Sequence, residues 1–199
     1  MPKAKQQTKT EIVIPEADWR EASITVVGQT PLLSSKWSEK AIKAIEDKQA
    51  KRPKEALQAR DPQREFEDSI YRTDAGKPGF IAIAFKLAAV RGAKQANGIT
   101  MTDAQVLFHV NADIVEIHGS APEFRRDMGR LKTGEAIPVY RAMYKQWSCT
   151  LPVLFNASML SLAQLVHLFD LGGKVGVGAW RPEKKGRFGI FGVARGKAA

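Results

Sequence analysis

Eight of the chain's sixteen glycines lie between Gly172 and Gly196. Inside a helix or strand each glycine costs about 0.5–1 kcal/mol relative to alanine. So dense a run is kept for what glycine alone gives, a backbone free to take positive φ and to come close to another group. Directly upstream is a helix with its own start signal. Ser161-x-x-Gln164 is a capping-box pattern, in which the serine oxygen accepts the amide three residues on while Gln164 reaches back. Leu162, Leu165, Val166 and Phe169 form its apolar face, and Gly172 reads as a left-handed stop. Arg187–Ala194 is expected as a last strand.

The other elements follow from periodicity. Ile12–Ile14 and Ala22–Val27 are β-rich, and in the second Ile24–Val27 reads as a core strand ended by Gly28. Thr30–Ser35 reads as a turn into a helix cap. Lys36–Gln49 predicts an amphipathic helix with Trp37, Ala41 and Ile45 on the apolar stripe and Trp37 in the core. Residues 50–62, with two prolines and six charges, form a surface linker. Pro62 opens a short helix that buries Phe66 and Ile70. Phe80–Gln95 predicts a helix with Ile83, Leu87 and Val90 on one face, ended by Asn97-Gly98. Val106–Ile117 reads as a strand bent at Asn111, and Val139–Phe155 as further β structure, where Pro152 argues for an edge or a bulge. Phe66, Phe80, Phe85, Phe108, Phe155 and Phe169 are assigned to the core. Trp147 fits either the core or a stacking platform on an open sheet face.

That order is β-α-β-β-α-β, so the expected class is α+β. The expected fold is a modified ferredoxin-like or RRM core with an enlarged helical first crossover and a long hairpin insertion between the second and third strands. The 199 residues divide into an arm (1–10), one domain (11–195, with the insertion at 119–145 and the glycine-rich loop at 172–189) and a tail (196–199).

Charge narrows the function. The net charge is +10 and the pI about 9.8, which favours a polyanionic partner. The surplus is local: residues 119–145 hold six basic groups against three acidic, and 172–199 hold seven against one. The single cysteine, Cys149, excludes a disulfide framework and any zinc site with two thiolates. His109, His118 and His167 form no metal-binding pair at H-x-x-x-H spacing. Gly173-x-x-Gly176-x-Gly178 lacks the dinucleotide-binding spacing, and no P-loop occurs. No metal or cofactor is expected. The chain lacks a signal-peptide pattern and a clean apolar run, and is read as cytoplasmic with no membrane partner.

In the glycine-rich segment Lys174, Gly176, Gly178, Trp180, Arg181, Lys184, Lys185, Arg187 and Phe188 combine flexible backbone, cations and aromatic faces. That combination suits unpaired nucleic acid, and it also suits a tight glycine-rich hairpin with surface lysines. In the insertion, Arg125, Arg126, Arg130, Lys132 and Arg141 suit a mobile hairpin gripping a strand, and equally a solvated loop or a subunit contact. Asp127 is the one acid there worth following, as a catalytic group or as an arginine's ion-pair partner.

Two resemblances add to this reading. Thr30-Pro31-Leu32-Leu33, Trp37-Ser38-Glu39-Lys40-Ala41, Arg125-Arg126-Asp127-Met128, Trp147, Phe155-Asn156, the run Val175–Pro182 and Gly186–Gly189 resemble a family of uncharacterised bacteriophage and prophage proteins. The layout also resembles the RAMP superfamily, which includes the backbone subunits of CRISPR effector complexes. That resemblance implies an RRM-like core, a thumb at 119–145, a glycine loop at 172–189 and polymerisation along a strand. The resulting expectation is a non-enzymatic protein that binds single-stranded RNA or DNA in a bacterial host cell, as a homo-oligomer or filament. The rivals are a RAMP-type ribonuclease using Asp127 or a histidine, a phage single-strand annealing protein, and a structural or inhibitor protein that meets an acidic partner.

Overall fold

The computed structural model describes residues 16–53, 59–130 and 133–194. The predicted arm at 1–10, the strand at Ile12–Ile14, Lys132 and the tail at 196–199 lie outside them. The chain begins with β1 (Trp19–Gly28), β2 (Leu32–Ser34), α1 (Glu39–Gln49), α2 (Pro62–Asp68), β3 (Tyr71–Arg72), β4 (Pro78–Ile81) and α3 (Ala82–Gly92). It continues through α4 (Met101–Leu107), β5 (Phe108–Val110), β6 (Ile114–Glu116), β7 (His118–Gly119), β8 (Glu123–Arg130) and β9 (Ala136–Tyr144). β10 (Trp147–Asn156), α5 (Leu162–Val175) and β11 (Phe191–Val193) complete it.

The fold is mixed α+β with antiparallel sheets. The main sheet runs β11-β1-β10-β5, with β7 also paired to β10. Strict alternation along β10 explains its place. Trp147, Cys149, Leu151, Val153 and Phe155 are buried, while the residues between them turn to the other face. Pro152 sits in this central strand and not at an edge. Its carbonyl accepts the Asn111 amide at 2.8 Å. A residue's N–H and C=O point to the same side, so the missing donor of Pro152 faces the region just past the end of β5, and no bond to β1 is lost.

α3 and α5 cover the buried face, and small residues set how closely they meet. A Cβ at Gly172 would stand 2.5 Å from the Ala89 amide nitrogen, and one at Gly92 would stand 2.6 Å from that of Gly172. Gly172 is therefore a packing residue inside α5 and not its stop. The helix ends four residues later at Gly176, whose φ of 78° with ψ of 168° is a conformation open to glycine but strained for other residues. The capping box at Ser161 and Gln164 is present. Of the predicted face of α3, Val90 is buried but Ile83 and Leu87 are 52% and 42% exposed. Ala82, Phe85, Ala88 and Ala89 are buried with Val90, because alanines allow the close approach of α5.

The six predicted core phenylalanines are all buried, and Trp147 joins them, its indole N–H donating to the Thr30 carbonyl at 2.9 Å. Trp37 does not: it is 63% exposed, and α1 starts at Glu39 with no buried residue. The predicted strand at Val106–Ile117 opens inside α4, which is capped by a Thr100–Asp103 capping box, and then breaks into short pieces. Residues Thr30–Ser35 hold a fully buried strand, β2, rather than only a turn. The last strand is shorter than Arg187–Ala194, spanning three residues.

The insertion is the hairpin β8–β9, joined by β2 into a second sheet. Its base is fixed on one face by α2. Phe66 packs on Phe124, and the Ser69 hydroxyl accepts the Ala142 amide at 2.8 Å while donating to the Phe66 carbonyl at 2.6 Å.

Candidate nucleic-acid interface

The glycine-rich loop folds back on β2. Ala179 donates its amide to the Leu33 carbonyl, Gly189 to Pro31, Val177 to Gly189, Phe188 to Trp180 and Gly186 to Arg181, all at 2.8–3.1 Å. These amides are engaged within the protein, so they are not a ready cradle for phosphate. Close approach is what the glycines serve: a Cβ at Gly186 would overlap the Trp180 carbonyl oxygen at 1.7 Å. Trp180 itself is left-handed, at φ 53°, a conformation that costs a non-glycine residue about 1 kcal/mol or more.

The other face of the hairpin base lies against this loop, and here the two basic segments meet. Arg125 Nε donates to Asp127 Oδ1 at 2.8 Å, and its guanidinium carbon stands 4.8 Å from the Phe188 ring centre and 5.9 Å from that of Trp180. Arg141 lies 5.4 Å from the Trp180 ring, with its Nη1 3.6 Å from Asp127 Oδ2. Arg187 stacks on Phe188 at 5.7 Å. Cation–π contacts of this kind are worth about 0.5–2 kcal/mol each. Burial pulls the Arg141 pKa below its ordinary value; Asp127 opposes the shift and Arg125 adds to it.

Each predicted site residue can now be placed. Phe188 is 7% exposed and sandwiched between arginines, so it is not an open stacking face. Trp180 keeps 39% exposure. Arg125 and Arg141 are committed to Asp127 and the aromatic rings and are not free on a mobile hairpin. Arg126 and Arg130 alternate onto the opposite face of β8 and are exposed, as are Lys184, Lys185 and Arg187 on the loop. Lys174 donates to the Gln29 side-chain oxygen at 2.9 Å. Gly176 and Gly178 shape the loop at positive φ.

Arg181 serves a second feature that the sequence reading missed. A cleft of about 310 Å³ opens between α3 and the loop segment Gly176–Ala179. Ile83 and Leu87 line it together with Tyr71 and Phe80, and Arg91 and Arg181 stand among its lining groups. Glu183 holds both arginines, through Arg91 Nε at 2.7 Å and Arg181 Nη2 at 2.8 Å. Ile83, Leu87 and Arg91 are spaced by four residues, which places them on one helical face. The spacing was visible, but it was assigned to the core.

The candidate catalytic groups are dispersed. Asp127 is buried, its side chain 5% exposed. Cys149 is fully buried, and burial pushes its thiol up to about 12, so it is not a thiolate at neutral pH. His109 meets Lys86 and stacks on Trp19, its pKa lowered by burial and by that lysine; His118 lies 3.6 Å from Glu116. Among the described residues no group of three His, Cys, Asp or Glu is placed to hold a metal, and no helix is long and apolar enough to cross a membrane.

The chain is thus a mixed α+β protein carrying a basic aromatic patch where a hairpin meets a glycine-rich loop. No protein-family profile matches it, and no curated protein is significantly similar. Among solved structures it is similar to the crystal structure of Cmr6 from Pyrococcus furiosus, at 9% identity and a TM-score of 0.46, over 90% of this chain and 100% of that one. A likeness at that level identifies neither family nor activity.

Proposed function

We propose that this protein binds single-stranded nucleic acid on the patch formed by the β8–β9 hairpin and the glycine-rich loop. The observation that carries the reading is the convergence of Arg125 and Arg141 from the hairpin with Trp180, Phe188 and Arg187 from the loop. Two segments that hold most of the chain's surplus charge thereby make one surface. Lys184, Lys185 and Arg187 supply outer cations on the loop side, Arg126 and Arg130 carry the charge around to the other face of the hairpin for a strand that wraps it, and the exposed edge of Trp180 supplies a stacking face. Arg125 and Arg141 position the aromatic rings. The core is read as a RAMP-like, modified ferredoxin arrangement, supported by the strand order β11-β1-β10-β5 with α3 and α5 on one face. In this reading the β8–β9 hairpin is the thumb-like insertion, and several copies lie along one strand. The ribonuclease rival is disfavoured by Asp127, which is buried and held by two arginines.

The test is a salt titration of binding to matched RNA and DNA oligonucleotides. Five phosphate contacts from the five outer cations give a log–log slope of about −3.5 on single strands. Lys184→Glu with Lys185→Glu removes two contacts, so the slope falls to about −2 and affinity weakens for every sequence. A wild-type slope near zero, or unchanged binding by the double variant, rejects the reading.

A further inference from the structure

The cleft between α3 and the glycine-rich loop has no role in the patch just described. Two large aliphatic side chains, Ile83 and Leu87, stand roughly half exposed on its floor, on a helix whose other face is packed with alanine. Such exposure leaves apolar surface in water, and a planar apolar ring laid on it would be held by the same burial that stabilises a core. The lining is not purely apolar. Arg91 and Arg181 are tied by the two oxygens of Glu183, and Arg181 Nη1 also donates to the Gly178 carbonyl at 3.1 Å. Two guanidiniums on one carboxylate leave a net positive charge, with donor edges of Arg91 still open. Because Glu183 already holds them, little side-chain freedom is lost when an anion binds. Tyr71 adds a phenol, whose pKa burial raises.

The volume decides the size of the occupant. About 310 Å³ is at the small end of ligand pockets, enough for one ring system with its sugar and too little for a folded segment. The position decides its source. Arg181 is the chain neighbour of Trp180, which touches Arg125 and Arg141, so the cleft opens beside the basic patch. We infer that the cleft takes one unstacked nucleotide of the bound strand, with its base on Ile83 and Leu87 and its phosphate against Arg91 and Arg181. This rests on the proposed single-strand binding and adds to it a contact to a base rather than to the backbone.

The experiment compares a normal oligonucleotide with an abasic one of equal length and equal phosphate count, by fluorescence anisotropy on the full chain. Wild type is expected to bind the normal strand about tenfold more tightly. Leu87→Gln, at an exposed position that leaves the core intact, is expected to lose most of that preference while its affinity for the abasic strand stays constant. Equal wild-type binding of the two strands overturns the cleft assignment and leaves the basic patch standing. A Leu87→Gln variant that keeps the preference also overturns it. If neither strand binds even at low salt, the single-strand reading itself falls, and the cleft assignment with it.

Discussion

Replacing Asp127 with asparagine tests the junction between hairpin and loop. The substitution keeps the shape of the side chain and removes one charge. Asp127 is 5% exposed and faces Arg125 at 2.8 Å and Arg141 at 3.6 Å, with the Arg141 side chain 15% exposed. With the carboxylate gone, Arg141 is a buried cation beside a second cation. At an effective dielectric of about 20, a pair of unit charges about 4 Å apart interacts by about 4 kcal/mol. Breaking a buried pair from one side typically costs about 3–5 kcal/mol. Asp127→Asn is therefore expected to lower unfolding stability by about 3 kcal/mol or more, read from the urea midpoint at unchanged m-value. Removing both charges restores most of it: Asp127→Asn with Arg141→Met replaces the pair by neutral and apolar groups, a change that is often near neutral. A loss below about 1 kcal/mol in the single variant refutes the claim that this pair holds the junction. The same variant guards against a false trail, since activity lost on changing Asp127 follows from a loosened hairpin as well as from a missing catalytic acid.

Three further substitutions or conditions test the fold. Gly172→Ala forces a methyl group into the α3 backbone at 2.5 Å and should cost about 1–3 kcal/mol, seen as a lower Tm. Trp37→Ser should change stability by less than about 0.5 kcal/mol, since Trp37 is 63% exposed. Cys149 should resist a thiol reagent in the native state and react only as the chain unfolds. Its ordinary pKa of 9.0 is raised to about 12 by burial, so above pH 9 the unfolded chain releases a proton that the folded chain retains. Stability should therefore fall as pH rises from 9 to 12, with Tyr144, also raised to about 12, adding to the slope.

What the residue pattern made legible was local chemistry. The Ser161–Gln164 box, the helix opened by Pro62 and the core phenylalanines depend on neighbours within a few residues or on plain apolarity, and they appear as expected. The mixed α+β character followed from the same signals. What failed depended on partners far away in sequence. Gly172 looks like a stop until Ala88 and Ala89 are brought against it, and Pro152 looks like an edge residue until Asn111 is seen beside it. On α3 Val90 is buried as its pattern suggests, but Ile83 and Leu87 read as core only because they are larger than alanine, whereas the neighbouring helix demanded small side chains. At the candidate site the cations and aromatic residues stand out in the sequence by type. Their mutual engagement was hidden, because only the fold sets Arg125 over Phe188.

The order of the main sheet has a consequence for synthesis. β1 emerges from the ribosome well before both of its partners, which lie far downstream, Thr25 meeting Thr150 and Val26 meeting Val193. Until those residues are made, Ile24 and Val26 belong to an unpaired apolar strand with open backbone edges, the kind of segment that attracts other chains. Closing so large a loop is also slow. A nascent or C-terminally shortened chain therefore has a sticky N-terminal half, and the last few residues of the domain act as the clasp that ends this exposure.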